Sequence, residues 1–71
     1  MSRMDIIIEI NGEKRSVPAV ENVRDLLRHL ELGENKIAVE INRKIVLKRE
    51  WDKTPVNDQD KIEIVQFVGG G

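Results

Sequence analysis

The sequence predicts an α+β fold, in which a mixed sheet of four to five strands carries one helix on one face. Three observations indicate this fold. An Asn-Gly pair joins two strand-like runs near the start of the chain, one segment with helical periodicity follows, and apolar alternation then returns. At 71 residues the chain has the length of one small domain with one hydrophobic core.

Residues 4–10 and 13–18 form the predicted hairpin, with Asn11-Gly12 between them. Asn-Gly favours this connection because both central positions of a type I′ turn need φ > 0. Side-chain alternation gives the first strand an apolar face and a mixed face, which carry Ile6, Ile8 and Ile10 and Asp5, Ile7 and Glu9 respectively.

The segment that follows changes to the period of a helix. Apolar residues recur at i, i+3, i+4 and i+7, on one stripe: Val23, Leu26, Leu27 and Leu30. Asn22 is the predicted N-cap. Gly33 is predicted to end the helix in the left-handed conformation.

Alternation returns in residues 36–42, with Ile37, Val39 and Ile41 on the inward side. A short apolar run at 45–47 and a polar connection anchored by Trp51 and Val56 lead to a final strand at 61–68. A hairpin, one helix and a last strand that enters parallel to the first make the β-grasp, or ubiquitin-like, arrangement. A ferredoxin-like fold would need a second helix, and the polar connection has no 3.6-residue period.

The composition narrows the function. There are no cysteines and one histidine, His29, so a self-sufficient enzyme and a metal site are not expected. The formal net charge of -1 argues against nucleic-acid or membrane partners that bind through bulk charge. Without a long apolar run or a signal peptide, the expected location is cytoplasmic.

A partner-binding surface is predicted on the face of the sheet that lies away from the helix. Alternation sends Ile7, Val65 and Phe67 to that face, with Ala38 nearby and Val68 next along the chain. An exposed apolar patch indicates a contact surface. The alternative is that the sheet curls or that the polar connection covers these residues.

The chain is predicted to divide into a domain at 1–68 and a flexible glycine tail at 69–71. Gly69, Gly70 and Gly71 have no Cβ, so they fit a channel too narrow for side chains. The arm from Val68 would reach about 13 Å. A carboxylate on Gly71 is a poor electrophile, and adenylation by a partner with ATP and Mg²⁺ is the simplest activation. The alternative is a tail without a function.

Residues 38–51 and 60–71 resemble the ThiS family of thiamine-pathway sulfur carriers. The residues that match its pattern are Ala38, Asn42, Ile45, Val46, Trp51, Asp60, Ile62, Gly70 and Gly71. The chain departs from the pattern at Leu47, where proline is common, and at Gln59, where glycine often makes the turn.

The resemblance implies a carrier rather than an enzyme, with no bound cofactor. An E1-like adenylyltransferase would activate Gly71, sulfur from a donor such as a cysteine desulfurase would give a thiocarboxylate, and thiazole synthase would accept the sulfur. The alternatives are the small subunit of molybdopterin synthase, a ubiquitin-like protein modifier, and an interaction module with an idle tail. Trp51 favours the thiamine branch.

Overall fold

A computed structural model describes residues 4–33 and 35–67. Its elements are β1 (Asp5–Ile10), β2 (Glu13–Pro18), α1 (Val23–His29), β3 (Ile37–Ile41), β4 (Lys44–Val46), a 3₁₀ turn (Lys48–Glu50) and β5 (Lys61–Gln66). The strands form one sheet in the order β2-β1-β5-β3-β4. The pair β1–β5 is parallel and the other pairs are antiparallel. The predicted mixed sheet with one helix is confirmed.

The core lies between α1 and one face of the sheet. The helix contributes Val23, Leu26 and Leu27, which are almost fully buried, and β1 and β5 contribute the alternating isoleucines predicted to face it. Trp51 and Val56 are buried in the same cluster, which confirms them as the anchors of the polar connection. The indole N–H of Trp51 donates to the carbonyl of Val46 at 3.2 Å, so its polar atom is satisfied inside the core.

The helix begins as predicted and ends earlier than predicted. The side chain of Asn22 accepts a hydrogen bond from the backbone N–H of Asp25, which confirms it as the N-cap. The prediction for Gly33 is wrong, because Glu31 takes the positive φ of 59°. Glu31 N–H bonds the carbonyl of Arg28 and Leu32 N–H bonds that of Leu27, a Schellman ending that brings Leu32 back to the core.

The first hairpin has the backbone that its Asn-Gly pair predicts, and the second has the same backbone with Asn42 and Arg43 at its centre. Asn11 and Gly12 have φ values of 50° and 86°, and Asn42 and Arg43 have values of 51° and 72°. Two successive positive values are typical of a type I′ turn, which matches the twist of the flanking strands. These turns set the registers of β1 with β2 and of β3 with β4.

Within the described parts of the chain, no helix has the length and apolar character needed to cross a bilayer. The cytoplasmic location stays a prediction, as does the division into 1–68 and 69–71.

Candidate functional site

The final strand, β5, occupies the centre of the sheet between β1 and β3. Because the predicted reactive terminus follows this strand, the contacts along β5 decide how the end of the chain is held. They differ between its first and last residues.

The start of β5 is fixed by a pair of side chains, Asn42 and Asp60. Asn42 Nδ2 donates to Asp60 Oδ1 at 3.1 Å, and Asn42 Oδ1 accepts from the backbone N–H of Lys61 at 3.0 Å. The second oxygen of Asp60 accepts from the N–H of Asn57 at 2.8 Å. Asp60 is 9% exposed, so it is a buried carboxylate with both oxygens hydrogen-bonded.

The turn before β5 is tied to β1. Asp58 Oδ1 accepts from the N–H of Ile7 at 2.7 Å, and this bond, with a second one from the Gln59 side chain, lowers the pKa of Asp58. Gln59 N–H donates to the carbonyl of Ile7 at 2.6 Å. Gln59 has φ of 72°, which explains in backbone terms why a glycine suits this position.

Further along β5, the side chain of Asn11 replaces a strand. Asn11 Oδ1 accepts from the N–H of Ile64 at 2.8 Å, and Asn11 Nδ2 donates to the carbonyl of Ile64 at 3.1 Å. Since β1 ends at Ile10, these two bonds from the turn continue the pairing of β5 beyond the last residue of β1. The sequence identified Asn11 as a turn residue and did not indicate this second role.

An apolar cluster lies on the open face at the end of β5. Val65 pairs with Ala38 of the neighbouring strand β3, and both line one shallow depression with Ile45 of β4. Phe67 comes two residues after Val65, and its N–H bonds the carbonyl of Lys36. The exposed fractions are 53% for Val65, 56% for Phe67 and 69% for Ile45. Nothing in the described chain covers this face there, which is the arrangement expected of a contact surface.

Two members of the cluster were not among the predicted surface residues. Ile45 follows from the alternation around Val46, which is buried. Leu47 is 42% exposed, and extending the register of Val39 with Val46 by one residue puts it across from Ala38. The signal was the run Ile45-Val46-Leu47, whose middle residue points inward. We define the C-terminal apolar cluster as Ala38, Ile45, Leu47, Val65 and Phe67.

Ile7 is exposed on the same face but lies apart from the cluster. Glu9 pairs with Lys61 in the parallel register, so Ile7 is level with Gln59, six residues before Val65. At the usual rise per residue this is about 20 Å. The structure therefore does not bring Ile7 together with Val65 and Phe67. Val68, Gly69, Gly70 and Gly71, the other predicted site residues, lie outside the described residues.

These features define a β-grasp domain whose central last strand leads from an anchored start to an exposed apolar end. The sequence model of the ThiS family matches residues 5–71. The chain belongs to the ThiS family.

Individual relatives agree with this assignment. The sulfur carrier protein ThiS of Bacillus subtilis is 41% identical over 49 residues, which are 69% of this chain and 74% of that protein. A thiazole synthase of Paramagnetospirillum magneticum is 48% identical over 62 residues, which are 87% of this chain and 19% of that protein. The crystal structure of the thiamine biosynthesis protein ThiS from Geobacter metallireducens superimposes with a TM-score of 0.78 at 32% identity, covering 93% of this chain and all of that one.

Proposed function

We propose that this protein is the sulfur carrier for assembly of the thiazole ring of thiamine. The carboxylate of Gly71 attacks the α-phosphate of ATP, held with Mg²⁺ in an E1-like adenylyltransferase, and pyrophosphate leaves. The persulfide of a sulfur donor such as a cysteine desulfurase then displaces AMP and forms an acyl disulfide with Gly71, and a thiol cleaves its S–S bond to release the thiocarboxylate and a new disulfide. Thiazole synthase accepts the sulfur. The protein is the substrate of these enzymes and is not itself an enzyme.

The observation that carries this proposal is the extent of the family match. It runs from residue 5 to residue 71 and so includes the terminal glycines as well as the folded domain. Since the chain has no cysteine, no side-chain thiol is available to carry the sulfur. The terminus is the remaining place for it.

Thiazole synthase is favoured as the acceptor by one relative. The thiazole synthase of Paramagnetospirillum magneticum contains a segment similar to 87% of this chain, in a protein of which that segment is 19%. A segment similar to this chain inside a thiazole synthase supports thiazole synthase as the partner of the carrier.

A reconstitution measures the proposed chemistry directly. The protein is incubated with ATP, Mg²⁺, the candidate adenylyltransferase, a cysteine desulfurase with cysteine and a thiol reductant, and the intact chain is weighed. The expected result is replacement of one oxygen by one sulfur. A variant with one residue appended after Gly71 should stay unmodified, whereas the same residue added before Met1 should have no effect. An unchanged mass with an active enzyme would refute the carrier function, and lysine-linked conjugates would indicate a protein modifier instead.

The C-terminal apolar cluster is the proposed docking surface for the adenylyltransferase. Val65 and Ile7 offer a matched pair, because both are exposed apolar residues on the same face of the sheet and only Val65 lies beside the strand end. Val65→Lys should weaken binding to the enzyme about tenfold or more, equivalent to about 1.4 kcal/mol. Ile7→Lys should bind as the wild-type protein does. Equal affinities for the two variants in calorimetry would exclude the cluster as the docking surface.

A further inference from the structure

The last residues of β5 continue beyond the end of β1. Ile10 pairs with Ile62, and β1 ends there, whereas β5 continues to Gln66. On the other side, β3 accompanies β5 throughout, with Ile37 opposite Gln66. One flank of the strand end is therefore paired and the other is not.

The hydrogen bonds along β5 give the direction of each backbone group. Asn42 N–H bonds the carbonyl of Lys61, and Phe67 N–H bonds the carbonyl of Lys36, so the odd-numbered residues of this strand bond towards β3. The even-numbered residues point the other way. The carbonyl of Ile62 accepts from Asn11 N–H, and Ile64 bonds the Asn11 side chain.

The next even-numbered residue is Gln66, whose N–H and C=O point to the side from which β1 is missing. Among residues 4–33 and 35–67, neither group has a hydrogen-bond partner. A strand edge of this kind is a template for pairing with another extended chain. The outer edge at β2 differs, because this strand carries charged Glu13, Lys14 and Arg15 and ends in Pro18, features that discourage pairing.

A recess lies next to this edge, on the helix side of the sheet. Its volume is about 390 Å³. Its lining is mixed: Ile10, Leu30, Leu32 and Ile64 are apolar, and Asn11, Arg15, His29, Glu31 and Gln66 are polar or charged. The C-terminal apolar cluster lies on the opposite face of the same strand end. An open edge with a recess on one face and an apolar cluster on the other is the geometry of strand addition, in which backbone bonds give affinity and alternate side chains enter pockets.

We propose that an extended segment of the adenylyltransferase pairs with β5 at Gln66, as a strand that continues the line of β1, and places one of its side chains in the recess. The proposal rests on the proposed function. The adenylyltransferase is the inferred partner because the open edge of β5 runs directly into the chain end that this enzyme must hold. A strand bonded to Gln66 fixes the direction in which the chain leaves the domain, which neither the recess nor the apolar cluster does alone.

Gln66→Pro tests the pairing. Proline removes the N–H that points to the open edge and leaves those of Val65 and Phe67, which bond towards β3. Gln66→Ala is the matched control, because it removes the side chain and keeps the N–H. We expect Gln66→Pro to weaken binding to the adenylyltransferase about tenfold and Gln66→Ala to bind within about twofold of wild type. Equal affinities for the two variants would overturn the proposal.

Amide hydrogen exchange on the unmodified protein gives a second measurement that needs no variant. Exchange at Gln66 should slow when the enzyme is added, while free protein should exchange rapidly there at every concentration. Slowing that depends on the concentration of this protein alone would assign the edge to a second copy and overturn the proposal, as would unchanged exchange in the complex. The reconstitution separates the two hypotheses, because wild-type protein that gains sulfur but shows no protection at Gln66 retains the function without the pairing.

Discussion

The two ends of β5 are held in different ways. At its start, Asp60 and Lys61 are bonded to Asn42 on one side and, through the carbonyl of Asp60, to Glu9 on the other. At its end, Gln66 and Phe67 are supported only from β3 in the described structure. Polar side chains bond to β5 and its leading turn as far as Ile64. The exposed apolar side chains come after that point, at Val65 and Phe67.

Because of this difference, one strand can both stabilise the domain and present its last residues to a partner. A carrier terminus must be held firmly enough to have a defined position and must leave its last residues accessible to an enzyme. Ile62 and Ile64 are buried against the helix, while Val65 and Phe67 alternate to the open face. Anchoring and presentation therefore occupy successive segments of the same strand, and substitutions in the two segments should have separable effects.

Truncation of Ile62 should give the largest loss of stability. Ile62 is 1% exposed, so Ile62→Ala should lower the free energy of unfolding by about 2–5 kcal/mol. Val65→Ala removes a side chain of the same strand that is 53% exposed and should cost within about 0.5 kcal/mol. Urea denaturation of both variants measures the difference. Similar losses would mean that the end of β5 contributes to the core as its start does.

Removal of the Asn42 side chain should have the next largest effect. Asn42→Gly keeps a backbone that accepts φ of 51°, but it leaves the Lys61 N–H and one oxygen of the buried Asp60 without their partner. We expect a loss of about 1–3 kcal/mol in the free energy of unfolding. A loss as small as that of an exposed surface substitution would show that water replaces Asn42 without cost.

The sequence predicted the elements and the core because these depend on local periodicity. The alternation of Ile6, Ile8 and Ile10 and the helical stripe required no knowledge of the partner elements. The separation of Ile7 from Val65 depends on the parallel register of β1 with β5, which joins residues more than 50 positions apart. Turn chemistry within the two hairpins does not set that register. The bond between Asn42 and Asp60 is also set by the folded sheet, since Asn42 reaches Asp60 only there.

The positive φ after the helix falls at Glu31 rather than Gly33 for a different reason. The position of the last turn was set by packing, because Leu32 must return to the core and its N–H bonds the carbonyl of Leu27. Glycine is the residue that best tolerates positive φ, and the sequence placed it two positions too late. Local preference was outweighed by burial of an apolar side chain.

Asn11→Gly is the counterpart of Asn42→Gly at the other hairpin. Asn11 also has positive φ and also bonds β5, but its partner is the backbone of Ile64 and no buried carboxylate is left behind. The loss in the free energy of unfolding should be about 1 kcal/mol, less than for Asn42→Gly. Amide exchange at Ile64 should accelerate. If Asn11→Gly lowered the free energy of unfolding more than Asn42→Gly does, the start of β5 would not be its more firmly held part.

The smallest effect should come from the charge of Asp58, which links the turn before β5 to Ile7. The backbone bond from Ile7 holds the pKa of Asp58 below its ordinary value of 3.8, so the carboxylate contributes stability above that pH. The contribution is lost as the pH falls through the lowered pKa. Asp58→Asn keeps an acceptor for the Ile7 N–H and removes the charge. The difference in denaturation midpoint between this variant and wild type should therefore narrow on acidification from neutral pH, and a constant difference would mean that the carboxylate acts through geometry alone.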